Sequence, residues 1–148
     1  MPDDEEARAF RVVNCIAACD EPELRTLLAA QGFELLVLRG HGVRDKATFL
    51  DQVAADLPRT DGLQPHNWDA FADVLWNVLY DLPHDRVALL WTDADVIVGS
   101  DLQDFVDALL AITGVARSVM SGEGSFPRQM TFLTFVLGAA PGYQRLNA

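Results

Sequence analysis

The chain has almost no lysine, few cysteines and no long hydrophobic run, and each shortage argues against a class of function. Lys46 is the single lysine, and the ten arginines stand at positions 8, 11, 25, 39, 44, 59, 86, 117, 128 and 145 without forming a run. Against them stand 22 acidic residues, for a formal net charge of -11. Proteins that hold a phosphate backbone do so with a cationic stripe, so no nucleic-acid partner is expected. Cys15 and Cys19 are too few for a disulfide framework and lack a second ligand pair, and are read as reduced thiols. His41, His66 and His84 fall in or near expected loops, without the i, i+4 pairing of a helical metal site. Neither a metal nor another cofactor is expected. The longest apolar stretch, Thr131 to Ala140, is ten residues, half of the roughly 20 that span a bilayer as a helix. The start, Met1-Pro2-Asp3-Asp4-Glu5-Glu6, carries acids where a secretory signal carries cations, so a cytoplasmic location is expected.

What is there is a core and an uneven charge. Half of the 148 residues are hydrophobic, enough to bury an interior without staples. A single domain over residues 1–148 is the expectation. Between Asp61 and Asp107 lie ten Asp, no Glu and only Arg86, a net charge of -9 in the middle of the chain. Such a field speeds encounter with a basic partner and repels anions, although charge taken alone favours the plainer reading of solubility.

Local patterns alternate. Arg11 to Cys19 is a mostly apolar run that could begin as a strand but is too short for its pattern to fix the type, and Asp20-Glu21-Pro22-Glu23 opens a helix that Gly32 closes. Phe33 to Leu38 reads as a buried strand. Phe49, Leu50, Val53 and Leu57 recur at helical spacing over residues 45 to 57, and Arg59 to His66 forms a loop. Asn67 can cap the next helix, which Pro83 stops. Val87 to Trp91 is a strand covered on both faces. Asp93 to Ser100 is an irregular link or short turn of helix. Ser100 or Asp101 caps a further helix that Gly114 is expected to end. Ser118 to Pro127 is loop-like, and Thr131 to Leu137 is a last strand. Strands alternating with helices predict an α/β fold with a small, mainly parallel sheet of three or four strands flanked by helices.

The helix from Asn67 to Leu82 carries the functional argument. With Asp69 as reference and about 100° per residue, Phe71, Val74, Leu75, Val78, Leu79 and Leu82 share one face. Asp69, Asp73, Trp76, Asn77 and Tyr80 lie within about 80° of the reference, on the opposite face. Like charges four residues apart destabilise a helix by about 0.2–0.5 kcal/mol, and exposed aromatics forgo burial. An interface offsets both, because aromatics anchor protein contacts and spaced carboxylates receive arginines. A plainer reading is also open: Asp69 complements the helix dipole, while Trp76 and Tyr80 pack under a neighbouring loop.

Leu36-Val37-Leu38-Arg39-Gly40-His41-Gly42-Val43-Arg44, the helix after it, and Asn67-Trp68-Asp69-Ala70-Phe71-Ala72-Asp73-Val74-Leu75 resemble the barstar family, bacterial inhibitors of a secreted ribonuclease. The similarity continues through Leu89-Leu90-Trp91 and through Leu102-Gln103-Asp104-Phe105-Val106-Asp107, over roughly residues 35–112 plus the terminal strand. It implies helices around a small parallel sheet, and inhibition by a helix and its preceding loop that plug the enzyme's active site. It implies that Asp73 takes the place of substrate phosphate before the enzyme's Arg and His side chains. Asp69 matches a second acidic contact, Asn67 a residue of the binding loop, and Asp107 an acid on a later helix. Trp76, Asn77 and Tyr80 join this set on helical geometry alone. The partner so implied is a basic protein, a small ribonuclease, bound by a chain monomeric by default.

The chain also departs from the family. Leu63-Gln64-Pro65-His66 replaces aromatics and a glycine before the Asn, and Ala72 replaces an aromatic between the two acids. Residues 1–34 have no counterpart in the smallest member and suit an extra strand and helix at the sheet edge. The link from Ile112 to Met130 is longer than its equivalent. Enzyme readings are weaker. Asp69 and Asp73 could do acid–base work only in a water-excluded cleft, and Gly40-x-Gly42 lacks the third glycine of a nucleotide loop and fits a tight turn. The rival reading is a barstar-like docking module in a regulatory complex with no nuclease target.

Overall fold

The computed structural model describes residues 10–58, 64–121 and 126–146. Their strands are β1 (Val13–Ala17), β2 (Glu34–Arg39), β3 (Arg86–Thr92) and β4 (Thr131–Gly138). Their helices are α1 (Glu21–Ala30), α2 (Lys46–Asp56), α3 (Trp68–Asp81), α4 (Asp95–Ser100) and α5 (Leu102–Met120). The sheet is four-stranded and parallel throughout, in the order β1-β4-β3-β2. This is the α/β architecture the pattern predicts, in its four-stranded form.

Parallel strands need helical crossovers, and these cover both faces of the sheet. Alternation along β3 shows the division: Val87, Leu89 and Trp91 join a core with α2, α3, α4 and α5, while Ala88 and Leu90 join a smaller one with α1. All five are buried. On the larger face Phe49 packs edge-on against Phe71, with ring centroids 5.0 Å apart, and tilted against Trp91 at 5.0 Å. On the smaller face Leu24 and Leu28 of α1 meet Ile16, Phe135 and Leu137.

The segment before β2 thus supplies an edge strand and the helix α1 that packs on the smaller face. The C-terminal residues close that edge: Ala17 N donates to Gln144 O at 2.8 Å, and Gln144 N donates to Cys15 O at 3.0 Å. Asp20, buried after β1, accepts from Arg145 Nε at 2.7 Å, Arg145 Nη2 at 3.1 Å and Leu146 N at 2.9 Å.

Two expectations need correction. Gly114 does not end α5, which runs on to Met120, so Ser118 is helical rather than the start of a loop. Val115, Ala116 and Val119 beyond the glycine are buried in the larger core, and their packing outweighs the roughly 1 kcal/mol that glycine costs inside a helix. Of the two readings of the link after β3, the structure has the helical one: the short helix α4, whose Ile97 is fully buried. Of the loop expected over residues 59–66, residues 59–63 lie outside the described residues. Residues 122–125 of the later loop do too.

Candidate functional site

The helix α3 is set at both ends. At its start the Asn67 side-chain oxygen accepts from Ala70 N at 2.7 Å, an N-cap that meets one of the unpaired first-turn donors. Phe71, Leu75, Val78 and Leu79 are buried, which fixes the rotation of the helix. That rotation leaves Asp69, Asp73, Asn77 and Tyr80 exposed and Trp76 half-buried.

Beside α3 runs α5, and between them opens a groove of about 600 Å³. Trp68, Asp69, Ala72, Asp73 and Trp76 line its α3 wall. Asp107, Leu110, Ala111, Gly114, Val115 and Ser118 line the wall from α5. Small residues at 72, 111 and 114 keep the floor low, and a Cβ built at Gly114 would meet nothing within 4 Å. Three carboxylates and two indoles therefore face one apolar-floored trough.

The structure gathers Asp69, Asp73, Trp76 and Asp107 around this groove. Asn67, Asn77 and Tyr80 do not line it. Trp68, Leu110 and Gly114 are not among the site residues expected from the sequence, although Trp68 sits between the capping Asn and the first acid. The aromatic pair is only partly turned to solvent. Trp76 stacks on Tyr80 with centroids 5.3 Å apart, and Phe126 sits edge-on to Trp76 at 5.4 Å and to Tyr80 at 6.2 Å. For these two rings the plainer reading of the sequence is thus partly right, because a residue of the neighbouring loop packs on them. Tyr80 still keeps 46% of its surface exposed.

Several acids outside the groove are engaged by arginines: Asp56 with Arg39, Asp20 with Arg145, Asp85 with Arg128 and Glu21 with Arg25. Asp104 accepts from Lys46 N at 2.7 Å, at the start of α2, and Asp45 caps that helix by accepting from Thr48 N at 3.0 Å. Among the described residues no cation pairs with Asp69, Asp73 or Asp107; Asp107 accepts only a neutral bond, from Gln103 Nε2 at 3.0 Å. Carboxylates are pure acceptors when ionised. On an open face they suit capture of a guanidinium or ammonium rather than chemistry in a dry cleft. Among the described residues no three His, Cys, Asp or Glu side chains gather as a metal would require. No helix there is long and apolar enough to cross a membrane.

Comparison with known proteins bears on this arrangement. No curated protein matches the chain. A solved structure, that of Drosophila ORC bound to AT-rich DNA and Cdc6, contains a chain similar over 87% of this one and 40% of its own length. The identity is 14% and the TM-score 0.46, too loose a likeness to carry an argument, and this chain spans less than half of that one. The family described as Barstar (barnase inhibitor) matches residues 33–130, 98 of 148 positions, from the start of β2 to the edge of β4. That stretch holds both walls of the groove, and on this match the chain belongs to the barstar family.

Proposed function

We propose that the chain is an intracellular immunity protein that inhibits a basic ribonuclease by setting α3 across its active site. The observation that carries this reading is the pair Asp69 and Asp73, exposed one helical turn apart and paired with no cation among the described residues. Asp73 stands in for a substrate phosphate, Asp69 meets a second cation, and Asp107 engages a third from across the groove. Asn67 holds the helix start in place. Trp76 supplies an apolar wall, with Asn77 and Tyr80 at the rim. The net charge of -11 supports fast, salt-sensitive association with a cationic enzyme.

The test is a ribonuclease protection assay with barnase, the enzyme named in the family description, using the wild-type chain and Asp73→Ala. Wild type is expected to inhibit at one-to-one stoichiometry. Asp73→Ala, with its circular dichroism unchanged, is expected to weaken inhibition at least thirtyfold. Inhibition equal to wild type by the folded variant would overturn the role of the acid.

A second reading has its own motive. Ala72 between the acids and Gln64-Pro65-His66 before the helix differ from the family's aromatic and glycine pattern, which favours a partner of another shape. In that case the same face is a docking module in a regulatory complex. Failure of both proteins to protect RNA, with a non-nuclease basic protein retained by wild type and lost by Asp73→Ala, would decide for it.

A further inference from the structure

The outward side of α5 carries Leu102, Val106 and Leu110, with 57%, 40% and 65% of their surfaces exposed. Single exposed leucines are ordinary. These three stand at i, i+4 and i+8, so they form one ridge about 12 Å long, of the kind that packs into the grooves of another helix. The ridge leads into the groove already described. The next members of its row, Gly114 and Ser118, line that groove, and Leu110 belongs to both features. After Leu110 the row loses its height, so an object lying on the ridge enters the trough beside Asp73.

The border of the ridge defines the chemistry of what lies there. Gln103 and Asp107 follow Leu102 and Val106 by one residue, on the side toward α3, with Asp69 and Asp73 beyond them. An apolar ridge edged by acids is matched by a helix with an apolar stripe edged by Lys or Arg. A second copy of this chain is a poor match, since it would set Asp107 and a further charge of -11 against the same acids.

We infer that the partner lays a cationic amphipathic helix along the Leu102, Val106 and Leu110 ridge, with its basic edge over Asp107, Asp73 and Asp69. The inference rests on the proposal that these acids face the partner, and it adds an apolar contact on α5 to the acidic one on α3. Exposed Arg117, about two turns past Leu110 at nearly the same angle, closes the ridge, so the helix needs only two to three turns.

The probe is a synthetic 16-residue helix with leucines at helical spacing on one face and arginines on both flanks, beside a peptide of identical composition in scrambled order. Each is titrated by calorimetry against the full wild-type chain, the double variant Val106→Gln with Leu110→Gln, and Asp73→Ala. Folding of each protein is checked by circular dichroism, with Leu110→Gln alone as the milder variant. The amphipathic peptide is expected to bind wild type and to lose at least tenfold in affinity to the double variant. The scrambled peptide is expected to bind both proteins equally and weakly.

Equal affinity of the amphipathic peptide for wild type and the double variant would overturn the inference, as would no binding to wild type. A wild-type dimer in light scattering that the double variant abolishes would overturn it too, by showing that the ridge is a self-contact. The two readings separate cleanly. Loss in Asp73→Ala alone removes the ridge and keeps the acidic site, while loss in the double variant alone keeps the ridge and removes the acidic site.

Discussion

Arg128 Nη2 donates to the carbonyl oxygen of Leu82 at 2.7 Å, tying the loop before β4 to the end of the helix that carries Asp69 and Asp73. The same guanidinium reaches the carbonyls of Leu79 at 3.0 Å, His84 at 3.1 Å and, through Nη1, Tyr80 at 3.2 Å. The last carbonyls of a helix have no partner within it, and the helix dipole puts partial negative charge there. One arginine from a segment more than 40 residues away therefore serves as the C-terminal cap of α3.

Replacing that arginine should loosen the acidic helix from its far end. Arg128→Ala is expected to lower stability by about 1.5–3 kcal/mol, the range for hydrogen bonds to a charged group. Arg128→Lys should recover only part, because an ammonium lacks the planar fork. Urea denaturation with an unchanged slope checks both variants.

The acids on α3 should be better for binding than for folding. Asp73→Ala relieves a like-charge pair at i, i+4 and installs a better helix former, so stability is expected to rise by about 0.5 kcal/mol. Binding should fall by at least about 2 kcal/mol, a factor of about 30, on the scale of interface hot spots, of which complexes of this family are a type case. Thermal unfolding beside the protection assay shows the two effects with opposite sign.

Acid should unfold the protein through its engaged carboxylates. Hydrogen bonds from Arg145, then from the Leu146 amide, hold Asp20 below the usual carboxylate range. Burial alone would raise Asp56, but bonds from Arg39 and Gln52 outweigh it and bring it down as well. Asp45 is lowered by the Thr48 amide and hydroxyl. A group depressed in the folded state contributes stability above its unfolded value of about 3.9, and that stability is lost as pH falls through the folded value. Stability is therefore expected to be flat from neutral pH to about 5 and to drop below about 4. Asp20→Asn should be less stable at pH 7 and show a shallower acid transition in pH-dependent denaturation.

Gly40 should tolerate no side chain. A Cβ there would overlap the Thr92 carbonyl oxygen and stand 2.8 Å from Trp91 Nε1. The turn itself closes by Val43 N donating to Gly40 O at 3.0 Å. Gly40→Ala is expected to destabilise by about 1–3 kcal/mol, as overpacking does. Gly42→Ala, whose Cβ meets nothing within 4 Å, should be nearly neutral in the same thermal melt.

Much of the site could be read along the chain because it depends on local periods. The 3.6-residue repeat from Phe71 to Leu79 places Asp69 and Asp73 opposite the core, and Asn67 announces the cap. The strand at Val87 to Trp91 shows in its unbroken apolar run, since both faces are covered. Gly114 misled because propensity is a weak signal where burial of Val115, Ala116 and Val119 continues the helix. Trp76 and Tyr80 were half legible: their angular position was right, but Phe126 comes from a distant segment with no periodic link to α3.

The order of residues by itself determined the α/β alternation, the acidic middle of the chain and the orientation of the two acids on α3, because each follows from spacing over a few turns. Only the tertiary structure decided that α5 would lie alongside with Asp107 and Leu110 on the facing wall, that Arg128 would cap the helix, and that the acids would pair with no cation among the described residues. Those outcomes depend on which buried surfaces meet across the sheet, and the meeting of surfaces is settled by packing the whole core at once.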